Sequence, residues 1–400
     1  MPTDAPVQLV CLEPALVITS VKKHANRNPF FPFLASGAGE QTVDAATRSG
    51  GPDPFQLVTW LMELLFYTSD RLHPCGSDHS KQRFLSYVET QHELSIVFED
   101  SLLSVFPDKT LEFEPIRWKA LQVASAGDGA FLNQLSTLTE LTTQLARNQI
   151  SVFQISTYQT DFILVKIEDL NSAITCLRSF CDVEMEDGSP LSPTRVEDME
   201  RLDFVDQQLE VDPSEDVTLV RQHTLSVPDD VELYLVQIDK SCVRRHMFEL
   251  VRLLFGQSSP CSQHHDASAN GGKLFLSYSE SGEDISVVTS DLAFVELIRN
   301  LAYRGEPGVM VSPDCWKVVQ IGDKNLGFAE TGIVAGHTRV LLNAGTMVFY
   351  LSTYATDFML IKEDEWDDAI QVLDNNFRLV RGGFVPLTLG DSSDVSTLCG

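Results

Sequence analysis

The residues best equipped for chemistry occur twice, in two copies of one phrase. Residues 152–166 read VFQISTYQTDFILVK and residues 348–362 read VFYLSTYATDFMLIK, identical at ten of fifteen positions. Each copy places three aliphatic hydroxyls, a phenol and a carboxylate within six residues, Ser156–Asp161 and Ser352–Asp357. Such groups donate and accept hydrogen bonds and pair with cations, which is binding chemistry. Bond-making signatures are absent: there is no phosphate loop, no G-x-S-x-G, no H-E-x-x-H and no G-x-G-x-x-G after a strand. Cys261, His264 and His265 share a Gly/Ser/Asn-rich stretch, but their spacing fits no zinc pattern. The expectation is a protein that is not an enzyme and carries no cofactor or metal.

The copies lie 196 positions apart in 400 residues, so each half of the chain holds one in the same place. A tryptophan-led strand precedes each copy, at Trp118 and Trp316, and a helical stretch lies between, Leu135–Arg147 or Ile333–Leu342. Inside the phrase, apolar runs meet at a Ser-Thr-Tyr corner, which reads as a hairpin. An acidic residue, Asp169 or Glu365, then opens a helix with apolar spacing of three and four. Final strands are expected at 180–185 and 378–385. The unit is β-α-β-β-α-β, the split ferredoxin-like plan.

A weaker repeat precedes each unit: strand Gln8–Val17 or Val231–Ile238, then helix Phe55–Tyr67 or Met247–Phe255, then two more strands. The expected fold is therefore α+β, with four tandem ferredoxin-like modules in two duplicated halves. The boundaries read 1–115 (with a long Gly/Pro-rich loop at 19–54), 116–186, an acidic linker at 187–228, 229–312, 313–388, and a tail at 389–400. Residues 182–216 carry thirteen acidic side chains against Arg195 and Arg201, a linker composition. Ser189 and Ser192 each precede proline, a common phosphoacceptor pattern.

The formal charge of −28 disfavours nucleic acid and anionic membranes as partners and suits a basic partner or a cationic ligand. None of the eight cysteines forms a C-x-x-C pair, so reduced, mostly buried thiols of a cytoplasmic protein are expected. The most apolar segment, 55–67, is too short to span a bilayer.

Tandem modules with Ser-Thr-Tyr-Gln-Thr-Asp-Phe at 156–162 resemble the CASTOR (GATS-like) family of ACT-domain cytosolic arginine sensors, which act on TOR complex 1 through the GATOR complex. The likeness is strong over 151–165 and clear over 316–334, where Leu326-Gly-Phe-Ala-Glu-Thr-Gly-Ile-Val334 is similar to the family's glycine-containing ligand loop. It is loose over 19–115 and in the linker. The resemblance implies a ligand site between the second and fourth modules at Ser151, Val152, Gly327, Glu330, Thr331, Gly332, Ile333, Val334, Thr353, Tyr354 and Asp357. Chemically the set suits a free amino acid such as L-arginine. Glycine amides at a helix start take a carboxylate, Asp357 pairs with a guanidinium and Glu330 faces an α-amine.

The resemblance also implies a surface for a GATOR-like partner at Tyr158, Gln159 and Asp161, and a homodimer is compatible with it. Departures from the family pattern stand at Ala329 (an acid elsewhere), Thr331 (usually Cys) and Thr356 (an aromatic elsewhere), and those at 329 and 356 are expected to relax ligand preference. Each of these residues also has a plain structural role open to it: turn glycines, a strand-start serine, a hairpin-capping aspartate. Two other functions remain open from the sequence: a regulatory subunit of an amino-acid biosynthetic enzyme, and a ligand-independent scaffold.

Overall fold

The computed structural model describes residues 7–22, 54–67, 83–108, 110–123, 131–191, 223–228, 231–256, 275–282, 284–322 and 326–384, without the side chains of 54–55 and 131–134. The first half runs β1 (Val7–Cys11), β2 (Leu16–Lys22), α1 (Pro54–Met62), β3 (Leu85–Thr90), β4 (Glu93–Glu99) and β5 (Glu112–Phe113). It continues with β6 (Trp118–Val123), α2 (Phe131–Arg147), β7 (Val152–Ser156), β8 (Asp161–Lys166), α3 (Leu170–Leu177) and β9 (Cys181–Met185). The second half runs β10 (Thr224–Val227), β11 (Tyr234–Asp239), α4 (Met247–Phe255), β12 (Phe275–Ser281), β13 (Asp284–Thr289), α5 (Leu292–Tyr303) and β14 (Val309–Val311). It closes with β15 (Trp316–Ile321), α6 (Ile333–Asn343), β16 (Phe349–Ser352), β17 (Asp357–Lys362), α7 (Trp366–Asn376) and β18 (Arg378–Arg381).

These elements gather into two compact units, and each draws on both halves of the chain. One holds residues 1–13, 118–232 and 314–400, the other 14–117 and 233–313. In the first, strands order as β9-β1-β6-β8-β7-β16-β17-β15-β10-β18. The two copies meet at the centre, where β7 and β16 pair antiparallel at Ile155 and Leu351. Helix α2 presents Leu138, Leu141 and Leu145 to one core beneath its strands, and α6 presents Ile333, Val334 and Leu341 to its counterpart. Steps of three and four in α2, and of seven between Val334 and Leu341 in α6, keep these side chains on one helical face, the apolar stripe that buries against a sheet.

The other unit repeats this design in the order β5-β2-β4-β3-β12-β13-β11-β14. Tyr87 and Tyr278 lie opposite each other at its central β3–β12 pairing, and one core spans both modules. Helix α1 ends in a π-turn, Glu63–Tyr67. The buried Arg83 guanidinium donates to the carbonyls of Leu64 and Leu65 in that turn and pairs with Glu280 at 3.2 Å. The carbonyls left open at a helix end thus find a charged donor two residues before the next strand.

Two expected boundaries are corrected. The strand read as Gln8–Val17 is two strands. β1 joins the second module, parallel to β9 and antiparallel to β6, while β2 joins the first. Pro14 supplies no N–H and interrupts the ladder between them. Likewise β10 lies inside the expected linker but is a sheet strand of the fourth module, parallel to β18. The expected loop at 19–54 begins inside β2, which runs to Lys22, and the expected linker opens in a turn against β9. The rest of both segments and the tail lie outside the described residues.

Candidate functional site

Both copies of the repeated phrase fold into a hairpin whose turn is closed by threonines. Thr157 Oγ1 donates to Thr160 O at 2.8 Å, and Thr353 Oγ1 donates to Thr356 O at 2.7 Å. The amides of Thr160 and Thr356 return bonds to those hydroxyls. The aspartates are therefore not needed as turn caps. Each instead opens the second strand opposite a serine, Asp161 across from Ser156 and Asp357 across from Ser352.

Around Asp357 lies a cleft lined by Trp118, Ser151, Val152, Phe153, Leu326, Gly327, Phe328, Glu330, Gly332, Ile333, Val334, Ser352, Thr353, Tyr354 and Asp357. The empty volume within it is about 460 Å³, open solvent at the mouth included. The space in which the centre of a water molecule can move is about 30 Å³, so the cleft is narrow as it stands. The narrowing comes from the loop 326–332. Phe328 packs edge-on to Trp118 and Tyr354, with ring centroids 5.4 Å apart in each pair, and tilts against Phe153 at 6.5 Å. Ser151 Oγ donates to the Phe328 carbonyl at 3.0 Å. The first module copy thus supplies the floor, and the second supplies loop, helix start and carboxylate.

Gly327 and Gly332 hold φ of 67° and 82°, the left-handed region where a side chain costs strain. Gly332 is also the residue before α6, and no side chain caps that helix. Its first-turn amides carry the positive end of the helix dipole toward the cleft, where an anion would be favoured. Burial raises Asp357 from the usual 3.8 to about 6, opposed by hydrogen bonds from Tyr350 and Ser352 and reinforced by nearby Glu330. Glu330 itself pairs with His223 at 2.7 Å, so it is engaged before any ligand arrives.

Ten of the eleven expected ligand residues line this cleft; Thr331 does not, and is exposed beside it. Neither of the two positions expected to relax ligand preference lines the cleft. Ala329 is exposed and outside the lining, and Thr356 is buried with its hydroxyl on the Ile321 carbonyl. Trp118, Phe153, Leu326, Phe328 and Ser352 were not expected in the cleft. The tryptophan repeated at both strand starts was the available signal for Trp118, and an aromatic following Gly327 was the one for Phe328.

Of the expected partner residues, Gln159 is exposed, and Tyr158 and Asp161 are half-buried. Tyr158 lies near Asp314, and burial foremost raises its phenol. Burial also lifts Asp161 to about 6, opposed by the Ser156 hydroxyl that donates to it. No disulfide joins the described cysteines Cys11, Cys176, Cys181, Cys242 and Cys315. Burial pushes Cys11 and Cys176 up to about 11 and Cys181 to about 12, which leaves unreactive thiols. Cys261, His264 and His265 lie outside the described residues, as do Cys75 and Cys399. Among the described residues no His/Cys/Asp/Glu group is placed to hold a metal, and no helix is long and apolar enough to cross a membrane.

Residues 114–179 and 311–375 match the ACT domain family. These spans cover the second and fourth modules, where the cleft lies. The protein named cytosolic arginine sensor for mTORC1 subunit 1 from Bos taurus is 27% identical over 300 residues, 74% of this chain and 86% of that one. The Mus musculus protein of the same name is 26% identical over 319 residues, 78% of this chain and 88% of that one. Putative protein CASTOR3P from Homo sapiens is 37% identical over 93 residues, 22% of this chain and 57% of that one. With the repeat, the four-module plan and these relatives in agreement, the chain is an α+β protein of tandem ACT modules that resembles the CASTOR family.

Proposed function

We propose that this chain is a non-catalytic amino-acid sensor that binds a free cationic amino acid, L-arginine foremost, in the Asp357 cleft and signals to a GATOR-like protein partner of TOR-type nutrient signalling in the cytoplasm. The observation that carries the reading is a buried carboxylate, Asp357, in one cleft with an uncapped helix start at Gly332. A guanidinium takes Asp357, the ligand carboxylate takes the α6 amides, and the α-ammonium displaces His223 from Glu330. Because Phe328 narrows the cleft, ligand entry displaces the 326–332 loop, and closure over the ligand changes the seam with the module bearing Tyr158, Gln159 and Asp161.

The narrow cleft also favours a second reading, a scaffold that keeps the fold and partner face without a ligand. Calorimetric titration with each of the twenty amino acids, alongside thermal melts, separates the two. Selective binding of arginine supports the sensor, since ligand at 100 times its Kd adds about 2.7 kcal/mol of stability. Asp357→Ala is expected to weaken arginine binding about 10- to 150-fold, the worth of a hydrogen bond to a charged group. Unchanged affinity in that variant removes the site from the reading, and no binding by any amino acid leaves the scaffold.

A further inference from the structure

The β7–β16 seam holds a hydrogen-bond chain that the ligand reading does not require. Backbone pairing there is short, registered at Ile155 and Leu351, and serine hydroxyls continue it on either side. Gln154 N donates to Ser352 Oγ at 3.0 Å, and Tyr350 N donates to Ser156 Oγ at 3.0 Å. Each serine in turn bonds the aspartate opposite it in its own hairpin, Ser352 with Asp357 and Ser156 with Asp161. A hydroxyl that accepts an amide proton and donates its own is polarised in one direction, and such chains strengthen cooperatively.

One of the five differences between the copies bears directly on this chain of bonds. Where the first has Gln154, the second has Tyr350, fully buried, whose hydroxyl donates to Asp357 Oδ2 at 2.8 Å. The Gln154 side chain is also fully buried, yet neither its amide nitrogen nor its oxygen has a partner. Tyr350 is thus bonded at both ends. Its hydroxyl holds the cleft carboxylate, and its backbone amide holds the serine that carries Asp161. We propose that Tyr350 and Ser156 are positioning residues that couple the charge state of Asp357 in the cleft to that of the half-buried Asp161 in the neighbouring module. The chain of contacts is Asp357–Tyr350–Ser156–Asp161, linked by three hydrogen bonds and by the covalent side chain of Tyr350 from hydroxyl to amide.

This assignment rests on the proposed function only for what the two aspartates serve; the coupling itself needs no ligand. The test follows the Asp161 carboxyl by carbon-13 NMR titration in the full chain. Asp357→Asn removes the charge at one end, and a coupled network of this kind moves the Asp161 midpoint by about 0.4 of a pH unit or more. In Ser156→Ala and in Tyr350→Phe backgrounds the same substitution is expected to move it by less than half as much. Two variants are used because either alone could perturb folding, which thermal melts report. If Asp357→Asn leaves the midpoint in place, or if the shift persists fully in both backgrounds, the relay is overturned. Adding arginine to the unaltered chain distinguishes the two claims. A preserved relay with no arginine binding defeats the sensor reading alone, and arginine binding with no relay defeats this inference alone.

Discussion

At the residue scale, Asp357 combines burial with two hydroxyl donors, and burial prevails. Its carboxyl is raised from 3.8 to about 6, so the folded state holds this proton more tightly than the unfolded chain does. The associated stability is fully present below the unfolded value and is lost as pH rises through about 6. At neutral pH the ionised group costs the fold about 3 kcal/mol, an order-of-magnitude figure from the shift. A bound guanidinium relieves that cost, because it stabilises the ionised form alone. Arginine affinity is therefore expected to rise with pH up to about 6 and flatten above, weakening about tenfold per unit below. Calorimetry across that range checks this. A flat profile in the unaltered chain means that Asp357 does not meet the cation.

At the scale of elements, α1 and β3 are joined through Arg83, which serves the π-turn carbonyls and Glu280 together. Lys240 adds a second contact to Glu280 at 3.2 Å. Breaking one side of a buried ion pair leaves the other charge without compensation, so Arg83→Ala is expected to cost about 3–5 kcal/mol. Urea denaturation reads that as a lowered midpoint, and a loss below about 1 kcal/mol would show that Glu280 is held by Lys240 alone. Much at this scale was legible in the sequence. The helix at Met247–Phe255 was read to the residue, because apolar spacing is an intrinsic property of the segment. The strand expected at Gln8–Val17 divides in two, because the apolar runs on either side of Pro14 say nothing about which sheet receives each.

At the scale of the whole molecule, each half contributes to both units, so neither half closes a unit alone. The central pairings β3–β12 and β7–β16 would become open sheet edges if the halves separated. A protease site inserted between residues 192 and 222 is accordingly expected to yield, after cleavage, two fragments that co-elute as one species in native size-exclusion chromatography. Dissociation under native conditions would mean that the covalent connection, and not the paired seams, holds the halves together.

The sequence by itself determined the duplication, the α+β plan and the residue types of the candidate site, because these are local patterns written into each copy. Asp357, Gly332 and Ser151 were nameable since their chemistry and the family likeness travel with the residues. Only the tertiary structure decided that β1 and β10 belong to the second and fourth modules. It alone closed Phe328 over the cleft and engaged Glu330 with His223. It also assigned the Tyr350 and Gln154 side chains opposite fates at equivalent places, one bonded to its aspartate and the other with its amide group unpartnered. Those outcomes depend on which strands meet across a seam, and antiparallel pairing of residues some 200 positions apart is a property of packing that no stretch of either strand encodes.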